Sequence, residues 1–267
     1  MLGKLIKYEC RATGRIMLPI YAATVSMGMI SSVFIKFMPS GQFDNNILMN
    51  VASVLSIMLF SSLVVTAIVL SFVISIIRFK KNLLGPEGYL MNTLPVSTWQ
   101  NTGAKLMCAV LFEILSVVVT LIAGFLFVIL GGRAELIDVY SQFQAVFMQV
   151  WNQATFDMWV AFIEVCVLVF LGVINMNLMI YAAMSVGHSA ASRKTLASIG
   201  AFVAFYIISQ FINALLVQPL MGRADLMENF KFIPYQFFAG LIVIELFYIS
   251  AYYVLTNYFL QKKLNLQ

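Results

Sequence analysis

Long apolar runs alternate with short polar ones along the chain. Six runs of roughly 20 or more apolar residues fall at about 16–35, 47–77, 104–130, 159–185, 195–218 and 237–260. Each is long enough to cross a hydrocarbon core of about 30 Å as a helix. The second is too long to span untilted, so its end is expected to run past the bilayer. Two polar stretches keep a helical period. In residues 2–13, LGKLIKYECRAT, one helical face carries Leu2, Leu5, Ile6 and Cys10, and the other Lys4 and Lys7, continued by Arg11 and Arg15. That pattern predicts an interfacial helix with its cations among lipid headgroups. Glu9 projects toward its apolar side, where a carboxylate needs a partner or exposure. In residues 131–157, Gly131 and Gly132 break the preceding helix, and Leu136, Val139, Tyr140, Phe143, Phe147 and Trp151 recur at three- and four-residue spacing. This predicts an amphipathic helix, either lying on a membrane leaflet or packed over the bundle as a lid.

Between the second and third runs lies RFKKNLLGPEGYLMNTLPVSTWQ, residues 78–100. Gly85 and Pro86 suit the start of a short helix, because proline fits the first helical turn. Pro95 stops it, since the residue before a proline avoids the α region. The remainder, Glu87 to Leu94, is shorter than the roughly 12–15 residues at which an isolated helix becomes marginal in water. Yet it carries Tyr89, Leu90, Met91 and Leu94, so it is expected to dock on another surface. Ser97 and Gln100 match the S-x-x-Q capping box for the third spanning helix. Trp99 sits where an interfacial anchor belongs.

The composition agrees with a membrane protein: 62% hydrophobic and 10% charged, against about 25% charged in soluble domains. The net charge of +5 follows from where the cations sit and is not a nucleic-acid signal. With the N-terminus inside, Lys4, Lys7, Arg11, Arg15, Arg78, Lys80, Lys81, Lys105, Arg193, Lys194, Lys262 and Lys263 fall in inner segments. Lys36, Arg133, Arg223 and Lys231 fall outside, together with Asp44, Glu135, Asp138, Asp157, Asp225 and Glu228. The inner excess of Lys and Arg predicts six spans with both termini cytoplasmic. Cys10, Cys108 and Cys166 give no outer disulfide pair. The helical stretch before the first run argues against a cleaved signal peptide. No GxxxxGK[ST] occurs, so ATP is not bound in that way. His188, the single histidine, cannot make a metal site alone.

Three glutamates interrupt the apolar runs: Glu113, Glu164 and Glu245. A charged acid at the bilayer centre costs about 2.5–3.5 kcal/mol on insertion scales, so each must be protonated, wet or paired. Glu245, Tyr248 and Tyr252 share one face of the sixth run. Tyr206, Gln210 and Asn213 share one face of the fifth, and Asn175 and Asn177 lie in the fourth. These residues are read either as a polar lining for a substrate route or as interhelical hydrogen bonds, worth about 0.6 kcal/mol each in membranes. Gly200 and Ala204 form a small-xxx-small pair that permits close helix approach.

The opening MLGKLIKYECRATGRIMLPIY and the segment RFKKNLLGPEGYLMNTLPVS resemble the permease subunits of ABC-2 type transporters of Gram-positive bacteria. The motif-like part covers residues 1–21 and 78–97; the six-span plan covers most of the chain. The resemblance implies an all-α polytopic protein, one permease domain over residues 1–267. Residues 1–15 would be the interfacial connecting helix, 82–96 the cytoplasmic coupling segment and 131–157 an outer amphipathic segment. It implies a dimer of permeases, the second copy identical or paralogous, with two cytoplasmic ATPase subunits that hold ATP and Mg. This chain would bind no cofactor or metal and would not itself be an enzyme. Gly85, Glu87, Gly88, Tyr89, Leu90, Leu94 and Pro95 match the docking region, and spans two and five would line the dimer interface and route. Family members often carry outer re-entrant helices between spans five and six. Here the longest outer segment lies between spans three and four, a departure that puts a carry-over of the outer gate in doubt. The expected function is export of an amphipathic substrate (a lipid, drug or antimicrobial peptide) across the cell membrane. The alternative is a secondary transporter driven by protons through the intramembrane glutamates.

Overall fold

The computed structural model describes residues 2–36, 47–85, 88, 96–131, 134–190, 193–221 and 235–262. Seven long α-helices account for most of them: α1 Leu2–Lys36, α2 Ile47–Phe79, α3 Thr98–Gly131, α4 Ala134–Gln153, α5 Phe156–Gly187, α6 Lys194–Met221 and α7 Tyr235–Lys262. There is no strand among the described residues. Six helices are long and apolar enough to cross a membrane: Leu2–Lys36, Ile47–Leu84, Thr98–Gly131, Met158–Gly187, Lys194–Leu216 and Phe237–Lys262. They match the six apolar runs in order. Their exposed side chains include Val65, Leu121, Phe125, Val169, Phe211, Val243 and Phe247. A soluble monomer rarely exposes so many large apolar side chains, and six long apolar helices are compatible with a multi-pass membrane protein.

The amphipathic residues 2–13 and the first apolar run are one unbroken helix. Lys4, Lys7, Arg11 and Arg15 are all exposed, while Glu9 and Thr13 are buried on the opposite side. Pro19 stands inside this helix and removes one backbone donor close to where the apolar stretch begins. The 33 residues of α2 extend about 50 Å at 1.5 Å per residue, well beyond a hydrocarbon core.

The chain divides into two compact units. The first comprises Ile6–Ile74 and Cys108–Gln153. Its core is Met17, Tyr21, Ala67, Ile74, Cys108 and Phe112. The Tyr21 hydroxyl donates to the Phe112 carbonyl at 2.9 Å and shares a 2.7 Å hydrogen bond with Ser116. Ser31 donates to the Ser56 carbonyl at 2.8 Å. Phe60 and Phe127 stack with centroids 5.2 Å apart. Helix α4 belongs to this unit, and its residues 141–152 are all exposed, so the Phe143, Phe147 and Trp151 stripe is uncovered within the chain.

The second unit comprises Met1–Leu5, Ser75–Met107 and Ala154–Gln267. Here α5 packs against α6 and α7. The stripe Leu178, Tyr181, Ala182 and Ser185 on α5 is buried at helical spacing, as are Tyr248, Tyr252, Thr256 and Leu260 on α7. The end of α2 enters the same core through Phe79, Leu83 and Leu84. Gly187, the last residue of α5, allows the helix end to approach α6. A Cβ there would collide with the backbone and side chain of Ser198.

Candidate functional site

Two features of the second unit carry the chemistry the sequence pointed to. One is a buried polar seam between α5, α6 and α7, joined by α2 and α3. The other is the pair of anchors flanking residues 85–97.

The seam begins at Glu245 on α7. The Asn175 amide donates to Glu245 Oε2 at 2.8 Å. One turn along α7, Tyr248 donates to Asn213 Oδ1 at 3.0 Å and approaches the Ser209 carbonyl at 3.2 Å on α6. Tyr252 stacks on Tyr248, centroids 6.2 Å apart, and meets Phe205. Farther along, Thr102 donates to Asn257 Oδ1 at 3.2 Å, linking α3 to α7. On α5, Asn177 Oδ1 accepts from Ser75 of α2 at 2.8 Å, and its amide donates to the Val173 carbonyl at 3.0 Å. Two atoms stand out. Glu164 Oε2 and Asn175 Oδ1 are buried with no hydrogen-bond partner among the described residues. Buried polar atoms are paired in the great majority of cases, which sets these two apart.

The sequence-derived site residues distribute unevenly over this geometry. Glu245, Asn213, Asn175 and Asn177 join the seam. Glu164 lies on α5 eleven residues before Asn175, about 16 Å along the axis. Tyr206 and Gln210 are exposed rather than turned into the seam. Glu113 belongs to the other unit. Thr102, Asn257, Ser75 and Tyr181 were not singled out beforehand. Extending the Glu245, Tyr248, Tyr252 stripe another turn reaches Thr256 and Asn257 and would have found part of the group. Among the described residues, no three His, Cys, Asp or Glu side chains gather as a metal site.

The α2–α3 connection is anchored at both ends. A π-helical turn, Lys80–Leu84, closes α2; such turns are frequent at functional sites. Phe79, fully buried, stacks on Tyr181 with centroids 3.9 Å apart and planes 7° apart. Leu83 and Leu84 are buried beside them. Gly85 then turns the chain in extended geometry, φ −93° and ψ −170°. A Cβ at Gly85 would meet the Lys81 carbonyl at 2.7 Å. The Gly88 amide donates to the Gly85 carbonyl at 2.8 Å, closing one turn. On the far side, Ser97 caps α3, its hydroxyl accepting from the Gln100 amide at 3.4 Å. The Trp99 carbonyl accepts from the Tyr253 hydroxyl at 2.7 Å, and the two rings meet edge to face at 5.2 Å. Trp99 is therefore tied to α7 as well as partly exposed. Glu87, Tyr89, Leu90, Leu94 and Pro95 lie outside the described residues.

Beside this anchor, His188 follows the last turn of α5. Its Nδ1 is 2.9 Å from the Met184 carbonyl. Burial pushes its pKa below the usual 6.5, and the charges of Lys80 and Lys194 push the same way, against that hydrogen bond. No family model, curated protein or solved structure matches the chain.

Proposed function

We propose that the chain is the membrane-spanning subunit of an ATP-driven exporter of the ABC-2 type, coupled to a separate cytoplasmic ATPase. The observation that carries this reading is the double anchoring of residues 85–97. On one flank Phe79, Leu83 and Leu84 lock the end of α2 to α5. On the other, Trp99–Tyr253 and Thr102–Asn257 lock the start of α3 to α7. A push on the short segment between them reaches both helices without a slack linker. ATP-driven closure of the partner would move α2 and α3 and shift the balance of inward- and outward-open states. The polar seam would offer the polar part of an amphipathic substrate its contacts. Tyr206 and Gln210 are exposed on α6, as residues covered by a second permease copy would be. The excess of Lys and Arg on one side supports cytoplasmic termini in the cell membrane.

The test is a coupling assay with the partner ATPase. Glu87→Ala, or truncation of Leu90 and Leu94 to alanine, should leave the purified protein folded. Each should abolish transport and the stimulation of ATP hydrolysis. Unchanged activity in both variants would sink the assignment.

A second reading is favoured by the orphaned Glu164 Oε2 and the Asn175–Glu245 pair. Carboxyls buried in apolar helices are the usual carriers of protons in transporters. Transport that survives ATP depletion and collapses with the proton gradient would select it.

A further inference from the structure

At the basic end of the second unit, three helix stripes line an open cavity of about 310 Å³. From α2 come Ile76 and, one turn on, Lys80 of the π turn. Helix α5 gives Ile180, Ala183 and Met184, with His188 just past its end; α6 gives Thr195, Ser198, Ile199 and Phe202. The spacing puts each group on one face of its helix. Helices α5 and α6 approach closely at Gly187 and Ser198, and Ser198 is part of the lining. The floor is aliphatic and aromatic. The mouth is basic: Lys80 is exposed there, and α6 begins beside it at Lys194. A helix N-terminus carries partial positive charge that favours an anion. In this unit the carboxylates whose side chains are described are Glu164 and Glu245. Glu164 is 24 residues before His188 on α5, and Glu245 pairs with Asn175, 13 residues before it. Both are roughly 20 Å or more from the mouth along the axis.

We infer that this cavity is a site for an anionic phospholipid of the adjoining leaflet, its phosphate held at Lys80 and the start of α6 and part of one acyl chain inserted between Ile76, Met184 and Phe202. The volume is at the low end of small-molecule pockets, which run about 300–1,000 Å³. It suits the end of a chain rather than a whole lipid or drug. Basic pockets between spanning helices are a known form of headgroup recognition. A seated lipid would brace the end of α2 against α5 and α6, next to the Phe79–Tyr181 stack. The inference needs only that the helices cross a membrane and does not rest on the exporter reading.

The full-length protein is purified in detergent and titrated with phosphatidylglycerol or phosphatidylcholine, and bound lipid is counted by native mass spectrometry. In parallel, vesicles carrying a phosphatidylglycerol with a photoreactive acyl chain are irradiated and the labelled peptides mapped. The expected result is a preference for phosphatidylglycerol of about tenfold, in line with the attraction of a few cations near a lipid surface. Label should fall on the peptides holding Met184 and Phe202. Lys80→Glu, a change at an exposed side chain, should bring the preference within about twofold. Ile199→Trp, at the partly open wall, should remove the label. Lys262→Glu, the same charge change at the end of α7, should alter neither. Equal binding of the two lipids would overturn the proposal. So would label spread evenly over the apolar exterior, label that persists at Met184 in Ile199→Trp, or displacement by inorganic phosphate with no acyl labelling.

Discussion

The Asn175–Glu245 hydrogen bond supports a quantitative prediction. Replacing Glu245 with leucine removes the acceptor of the Asn175 amide, whose Oδ1 already lacks a partner. The whole amide would then stand unpaired among apolar helices. Interhelical hydrogen bonds in membranes average about 0.6 kcal/mol with a maximum near 1.7, whereas an orphaned buried group costs about 1–3 kcal/mol in soluble proteins. Because the bond is short and the amide has no second partner, the loss should lie where the two ranges meet, at about 1.5 kcal/mol. For a chain of this size that corresponds to a fall in Tm of roughly 3–6 °C. Glu245→Gln keeps a carbonyl oxygen at the same reach, so it should stay within about 1 °C of the parent by the same scaling. Thermal unfolding in detergent, followed by tryptophan fluorescence, measures both. Glutamine as damaging as leucine would refute the reasoning, because it would mean that the negative charge, not the acceptor, holds the amide. A neutral leucine variant would refute it from the other side. The same pair separates the functional readings. Glu245→Gln should retain ATP-driven transport, whereas a proton-coupled carrier that uses Glu245 would lose turnover.

Three further outcomes follow from the packing. Gly187→Ala must push the end of α5 off Ser198 and should cost about 1–3 kcal/mol, as overpacking does, seen as a lower Tm. Phe79→Ala removes a fully buried ring and its stack on Tyr181; it should destabilise by about 3–5 kcal/mol, with Phe79→Leu losing clearly less in the same assay. The lowered pKa of His188 fixes a pH dependence. Above its ordinary value of 6.5 both folded and unfolded states hold it neutral. As pH falls below 6.5 the unfolded chain takes up the proton first, so stability is lost until the folded value is passed. Tm measured from pH 8 to pH 5 should therefore fall more steeply in the parent than in His188→Gln. Parallel curves would contradict the assignment.

The six spanning helices were legible because a bilayer demands about 20 apolar residues in a row, and no other constraint writes so plain a pattern. Their ends go beyond the apolar limits: α2 runs on through Phe79 into the π turn, and α3 starts at Thr98, ahead of the apolar run that begins near residue 104. Helical hydrogen bonding does not stop where lipid does. The same reason joins the amphipathic residues 2–13 and the first apolar run into one helix. The capped start of α3 was readable, since Ser97 acts through its own neighbours. The seam was only half readable, because which helix faces which is not a local property. Tyr206, Gln210 and Asn213 lie within about 60° of one another on a helix of 3.6 residues per turn. Helix α7 sits on the Ser209 and Asn213 flank, which leaves Tyr206 and Gln210 exposed. No pattern within α6 alone distinguishes those two flanks.

The central claim is that this chain works with a separate ATPase. Purification from the native host in mild detergent, with quantitative identification of the co-purifying proteins, tests it most directly. The account predicts a soluble P-loop ATPase in near-equal amount, retained through size exclusion. A monodisperse membrane protein that reproducibly carries no ATPase would contradict it and leave the buried glutamates of a proton-driven carrier as the basis for transport.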